Sequence, residues 1–169
     1  MRIGLLADTH DRLPAVAALI RQMQARDVEF LLHAGDWCAP FALGPILEAQ
    51  VALAGVFGRG DGDRDGLAAE AARGIGVELY DAPHTVEVGD TRILLTHDLS
   101  DVLPRSIESH SVVVHGATHV RDKSTHGTTL LLNPGEACGW LHGVPSAAIL
   151  DLATREVEFL TLDGAEWRC

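Results

Sequence analysis

Apolar positions in this chain gather into short runs, and several of those runs stop on a polar, metal-binding type of residue. Ile3 to Ala7 is one such run, ending in Asp8-Thr9-His10. Its length reads as a buried strand. Residues two apart on an extended chain face the same side, so a carboxylate and an imidazole are expected to point together. Val28 to His33 reads as a second strand that delivers Gly35-Asp36, and Val51 to Phe57 as a third that delivers Gly58-Arg59-Gly60-Asp61. Between the first two, Leu13, Val16, Ala17, Ile20 and Met23 recur at helical spacing. They predict a helix capped by Asp11, tolerant of Pro14 in its first turn and ending near Ala25. Pro40 to Ala49 reads as a short helical segment interrupted at Gly44-Pro45.

Strand, helix, strand, helix, strand predicts a parallel sheet with right-handed crossovers. Sites in such sheets form outside the C-terminal strand ends. After a helix over about Asp65 to Arg73 the pattern changes. Thr85 to Val88 and Thr91 to Leu94 flank Gly89-Asp90, a hairpin signal, and the second strand runs into Thr96-His97. A short helix near Val102 to Glu108 precedes Val112 to Val114, which leads to Gly116-Ala117-Thr118-His119. A turn at Thr125 to Thr128 leads into Leu130 to Leu132 and Asn133-Pro134-Gly135, and strands at about Ser146 to Leu152 and Glu156 to Thr161 close the chain. A βαβ half followed by a strand-rich half suggests two stacked sheets with helices outside. No internal repeat, linker or low-complexity tract divides residues 1–169, which are read as a single domain.

Composition narrows the function classes. Hydrophobic residues make up 47% of the 169 and charged residues 22%, a globular balance. The formal net charge of -11 argues against nucleic acid or an anionic membrane as a general partner and leaves room for bound cations. Three cysteines, Cys38, Cys138 and Cys169, without a C-x-x-C spacing, suit a reduced, cytoplasmic protein rather than a disulfide scaffold. No secretory signal and no span-length apolar segment is evident. Cys38 reads either as a residue that approaches a metal or as a small buried hydrophobe. Trp37, Trp140 and Trp167 are candidates for the core or for the interface of a homo-oligomer.

Asp61-Gly62-Asp63-Arg64-Asp65-Gly66 has the opening spacing of a calcium-binding EF-hand loop. The twelfth place, which must supply a bidentate Glu, is Ala72, and the segment follows a strand rather than a helix. A polar loop with helix-capping aspartates is the better reading.

Asp8-x-His10, Gly35-Asp36, Gly58-x-x-Asp61, His97, Gly116-x-x-His119 and Asn133-Pro134-Gly135 occur in an order, and at strand ends, that resemble the calcineurin-like metallophosphoesterases. The likeness is to their small YfcE-like phosphodiesterase branch, related to the retromer subunit of the same fold, and it covers nearly the whole chain. The resemblance implies an α/β fold, a four-layer αββα sandwich, and two divalent metals bridged by one Asp and a water. It implies a small phosphate ester as substrate. Mixed N and O ligands accept Mn, Fe, Zn or Ni. Two such cations acidify water and stabilise charge on a phosphoryl group.

In the family pattern the first metal takes Asp8, His10, Asp36 and His119. The second takes Asp36 and His97, but Arg59 stands where the family has Asn, and Ala117 where it has His. Ala117 offers no ligand atom, and a guanidinium stays protonated with no lone pair to give. Arg59 is therefore expected to replace the second cation, pairing with Asp36 or gripping a substrate phosphate, or else to face solvent beside an empty second site. Arg59, Asp61 and His97 form the expected catalytic set; Asp61 reads equally as a residue near the phosphate and as a helix cap. Asp98, where many relatives have Gly, would crowd the cleft or orient an imidazole. His33, His84, His110, His126 and His142 read as structural or surface residues, and His115 as a weak substitute for the missing histidine. The reading is a metal-dependent phosphodiesterase with an altered second site; the competing one is an inactive scaffold of the same fold.

Overall fold

A computed structural model describes residues 1–164 and Trp167. Its elements run β1 (Arg2–Leu6), α1 (Leu13–Gln24), β2 (Val28–His33), a 3-10 turn at Pro40–Leu43, α2 (Gly44–Ala49), β3 (Leu53–Val56), α3 (Arg64–Ala71), β4 (Val77–Tyr80), β5 (His84–Val88), β6 (Thr91–Leu95), a 3-10 turn at Leu99–Asp101, α4 (Pro104–Glu108), β7 (Val112–Val114), β8 (Asp122–His126), β9 (Thr129–Asn133), β10 (Ser146–Asp151) and β11 (Val157–Thr161). One sheet has the order β11-β10-β1-β2-β3-β4 and the other β5-β6-β7-β9-β8. β1, β2, β3 and β4 run parallel to one another, as do β6, β7 and β9, while β10, β5 and β8 pair antiparallel with β1, β6 and β9.

The four layers follow from side-chain alternation along the strands. Ile3 and Leu5 of β1, Leu32 of β2, Ala148 and Leu150 of β10, Ile93 and Leu95 of β6, Val112 and Val114 of β7, and Leu130 and Leu132 of β9 meet between the two sheets. Leu6, Leu31, Ala147 and Ile149 point the other way, against Val16, Leu19, Ile20 and Met23 of α1. On the far side Leu94 and Val113 pack with Val102, Leu99 and Ile107. Both faces of each central strand are covered, which is why these strands are apolar runs without polar alternation.

The sequence pattern locates most of these elements and misses two. Val77–Tyr80 is an edge strand of four residues, and Asp122–His126 is an edge strand exposed along its whole length. Neither has the apolar signature of a buried strand. β10 and β11 also return to the first sheet rather than extending the second, β10 antiparallel to β1 and β11 antiparallel to β10. The helical segment 40–49 is interrupted at Gly44-Pro45 as expected, the 3-10 turn giving way there to α2 with Pro45 in its first turn, the tolerated place for a residue without an N–H. Asp63, rather than Asp61, caps α3 by accepting from Gly66 N–H. No described helix is long and apolar enough to cross a membrane. Trp37 and Trp167 are buried and Trp140 is exposed. Cys38 and Cys138 are free thiols; Cys169 lies outside the described residues.

Candidate metal centre at the C-terminal strand ends

The strand ends of the two sheets are sewn together by backbone bonds: Asp8 N–H to the Gly35 carbonyl, His10 N–H to Asp36, Gly116 N–H to His97 and Cys138 N–H to Asp8. Asp8, His10, Asp11, Asp36, Cys38, Ala117 and His119 all adopt left-handed φ, between 37° and 80°. Side chains disfavour that region, and such residues concentrate where surrounding structure over-determines them. Asp8 and His10 do converge, but through this turned backbone rather than by alternation along a strand. Gly35 sits at φ +96°, and a Cβ on Gly58 would collide with the backbone N and the carboxylate of Asp36. These glycines let two loops pass at backbone contact.

Asp8, His10, Asp36, His97 and His119 are brought together. Ligand-type atoms of Asp8, His10 and His119 lie within 4.8 Å of one another, as do those of Asp8, Asp36 and His97. The Nε2 of His119 is 3.8 Å from Asp8 Oδ1, that of His97 is 3.4 Å from Asp36 Oδ1, and that of His10 is 3.6 Å from Asp36 Oδ2. The rings of His10 and His119 stack at 5.2 Å. The Nδ1–H of His97 donates to the Ala34 carbonyl at 2.8 Å, and Nδ1–H of His119 donates to Glu136 at 3.0 Å. A carbonyl and a carboxylate can only accept, so in both rings Nε2 keeps its lone pair for the shared space.

Both carboxylate oxygens of Asp8 and Nε2 of His10 are buried without a hydrogen-bond partner. Burial pushes the Asp8 carboxyl up to about 6, against the pull of His119, His97 and His10. Orphaned polar atoms are costly in a protein interior. Here they converge with imidazole nitrogens in a mixed N/O set that suits a divalent transition metal. The residues fit such an ion.

Residues 1–155 match the family model of the calcineurin-like phosphoesterase superfamily domain. The chain belongs to that superfamily. It is 33% identical over 167 residues to phosphodiesterase MJ0936 of Methanocaldococcus jannaschii, covering 96% of this chain and 100% of that protein. A structure characterised as a novel archaeal phosphodiesterase superposes with a TM-score of 0.88 at 32% identity, over 96% of this chain and 100% of the other. The Escherichia coli phosphoesterase YfcE has a TM-score of 0.69 at 18% identity, covering 96% and 98%, and a Vps29 of Entamoeba histolytica has 0.67 at 18%, covering 97% and 99%. These last two share the calcineurin-like fold.

Two expected site residues make their contacts outside the cluster, Arg59 in the solvent-facing place that was one of its two alternatives. Arg59 does not pair with Asp36. Its Nη2 lies 3.0 Å from Asp98 and 3.3 Å from Asp101, on the exposed rim. Asp36 Oδ1 instead accepts Gly60 N–H at 2.7 Å, so the backbone beside Arg59 occupies the place expected for its side chain. Asp98 thus neither crowds the cleft nor orients an imidazole: its other role is to cap the 3-10 turn through Ser100 N–H, the main reason its carboxyl sits below the usual range. Asp61 spends one oxygen on Cys38 N–H and the other on Gly58 N–H, both at 2.7 Å, and so ties the Asp36 loop to the Arg59 loop.

Glu136 went unnoticed in the sequence. It is 1% exposed, and besides His119 it accepts from the N–H groups of Leu141 and His142. Burial would raise its carboxyl, but these bonds hold it below the usual range. The available signal was its place directly after Gly135 of Asn133-Pro134-Gly135. Asn133 itself is a buried brace: Nδ2–H donates to the Gly116 carbonyl and to Thr118, and Oδ1 accepts from Gly135 N–H.

The remaining histidines are mostly structural. His33 is buried, stacks on Trp37 at 3.4 Å and accepts Gly35 N–H on Nδ1, while burial holds its imidazole well below the usual range. His115 is buried against Asn133 rather than turned toward the cluster. His84 stacks on Tyr80, His110 bonds Thr85, and His126 lies exposed near Glu108. Cys38 Sγ lies 3.2 Å from Nδ1 of His10, behind the ring, with its thiol pushed up to about 11 by burial and then by Asp11, Asp36 and Asp61.

Proposed function

We propose that the chain is a metal-dependent phosphodiesterase that hydrolyses a small phosphate ester, with Asp8, His10, Asp36 and His119 holding one divalent cation and His97 beside it. The observation that carries this reading is the buried, partnerless set of Asp8 Oδ1, Asp8 Oδ2 and His10 Nε2. A bound cation supplies Lewis acidity toward the phosphoryl oxygens and an acidified water. The protein supplies orientation: the Ala34 carbonyl fixes the His97 ring, Glu136 fixes the His119 ring, and Gly60 N–H fixes Asp36. Asp61 is in this reading a positioning residue, because both its oxygens are spent on backbone N–H groups. Arg59 remains at the entrance, where its contacts to carboxylates run through Nη2 and its other donors can meet a substrate phosphate. Manganese is the ion we would supply first, and the two described thiols suit a reducing cytoplasm.

The test is manganese-dependent hydrolysis of bis(4-nitrophenyl) phosphate with Asp36→Ala as the control preparation. Turnover that is lost on chelation and absent from the variant supports the reading. Turnover equal in both preparations, or none with manganese bound, overturns it. A second reading, a catalytically inactive scaffold or phosphate-ester binder, draws on Arg59 and Ala117 standing where the family pattern has ligands. It calls for binding of phosphate without turnover.

A further inference from the structure

Two cavities open beside the cluster, each sharing one of its histidines. The one at His97 is about 130 Å³ and includes Arg59 and Arg64. Both cations there already face carboxylates: Arg59 meets Asp98 and Asp101, and Arg64 meets Asp81 at 3.3 Å. The one at His119 is about 260 Å³ and is lined by Val120, Arg121, His142 and Val144. Arg121 has no carboxylate partner among the described residues, and the one acidic side chain lining this cavity is Glu136, whose oxygens are turned to His119 and to backbone N–H groups. A cation left unmatched beside the site stands out in a chain of net charge -11, since an anionic substrate must find a favourable local field to approach.

The two walls differ in chemistry. Val120 and Val144 are 52% and 41% exposed and offer apolar surface; Arg121 and His142 offer donors. A cleft with apolar sides and a few convergent polar groups is the usual form of a small-molecule subsite. We propose that this cavity receives one arm of the phosphodiester, that the arm has a planar or aliphatic body flanked by the valines, and that it ends in a second anionic group held by Arg121. The substrate class is therefore a diester with an additional negative charge on one substituent. This rests on the phosphodiesterase reading for the phosphorus lying at His119, and it adds the identity of the arm beyond it.

The paired cavity at His97 is the poorer place for such a group, because an anion there would share its arginine with Asp98 and Asp101, or with Asp81, and meet their charge. A cavity of about 610 Å³ between Arg2, Lys123 and Glu158 shares no residue with the cluster.

The experiment is calorimetric binding of phenylphosphonate and 4-carboxyphenylphosphonate to manganese-loaded protein, alongside turnover of the matching phenyl and 4-carboxyphenyl 4-nitrophenyl diesters. The wild type should bind the carboxylated phosphonate at least fivefold more tightly. Arg121→Gln should erase that preference, with the carboxylated compound losing at least fivefold more affinity than the plain one. Val144→Trp, which fills the cavity, should weaken both aryl phosphonates while inorganic phosphate binding changes less than twofold. Equal affinity in the wild type, equal losses in Arg121→Gln, or no binding of either phosphonate overturns the proposal. A binding preference without turnover of either diester supports the subsite and overturns the phosphodiesterase reading instead.

Discussion

Nδ1 of His119 lies 3.0 Å from Oε2 of Glu136, and that contact decides which nitrogen of the ring is available to a metal. Glu136 is buried and carries the Leu141 and His142 N–H groups as well, so one side chain both orients the imidazole and closes the 136–142 loop. Partners that orient a ligating histidine are typically worth about 10–100-fold in metal affinity. Glu136→Gln keeps an acceptor of the same shape but loses the charge behind the ring. We expect a fall of that order in manganese affinity, with the melting temperature of the metal-free protein little changed. Glu136→Ala should lose stability as well, because two backbone N–H groups are left without an acceptor. Titration calorimetry and thermal melts of the two variants separate these effects.

Asp8 predicts a cost of function to stability. Its carboxyl titrates at about 6 in the folded chain, raised from 3.8 chiefly by burial. A raised folded value means that stability is fully present below the unfolded value and is lost as pH rises through the folded one. In chelator, the Asp8 contribution should therefore decline between about pH 4 and pH 6. Asp8→Asn removes the buried charge, and at pH 7.5 in chelator it should melt higher than the wild type, by on the order of 5 °C for a gain of about 1–2 kcal/mol in a chain of this size. Manganese should then raise the melting temperature of the wild type and leave Asp8→Asn unmoved. A variant that melts lower than wild type without metal would show that the carboxylate is not strained there.

Asp61 joins two loops through Cys38 N–H and Gly58 N–H. Bonds from backbone N–H to a carboxylate contribute about 1.5–3 kcal/mol each, and a lost acceptor leaves buried donors unmatched. Asp61→Ala should destabilise the fold by roughly 3–5 kcal/mol on that basis. Asp61→Asn, which can satisfy one of the two donors, should recover part of the loss. Assayed well below its melting temperature, Asp61→Asn should change kcat less than fivefold if the residue positions loops, whereas a group acting on the phosphate would cost far more.

The contrast between Asp61 and Asp8 marks what a sequence can reveal. Both follow an apolar strand, and both belong to an ordered set of motifs that resembles one family. The strands were legible because central strands covered on both faces are continuous apolar runs, as in Leu31-Leu32 and Val112 to Val114. β8 was not, since an edge strand with the sequence Asp-Lys-Ser-Thr-His has no face to bury. Side-chain partners were harder still. Nothing in the residue type tells that Asp61 turns to two backbone N–H groups while Asp8 turns to none, because the loop path, with its run of left-handed residues, decides that. Glu136 was hidden for the same reason: its role arises from a partner seventeen residues earlier in the chain.

Arg59 and Ala117 give the most discriminating substitution. Arg59 is largely exposed and engaged with Asp98 and Asp101, so its removal opens no core and breaks only rim ion pairs, each worth about 0–1 kcal/mol. Ala117 already adopts φ +62°, the region also occupied by the histidines at positions 10 and 119, so a histidine there meets a backbone this site tolerates. Asp36 and His97 are in place 3.4 Å apart, with the His97 lone pair directed inward by Ala34. Arg59→Asn with Ala117→His should therefore supply the two ligands that the family pattern has and this chain lacks. Elemental analysis after incubation with manganese should give one more metal per chain than the wild type. Equal stoichiometry at one metal would mean that the loop positions, and not these two side chains, limit the second site; two metals already in the wild type would mean that Arg59 and Ala117 never excluded it.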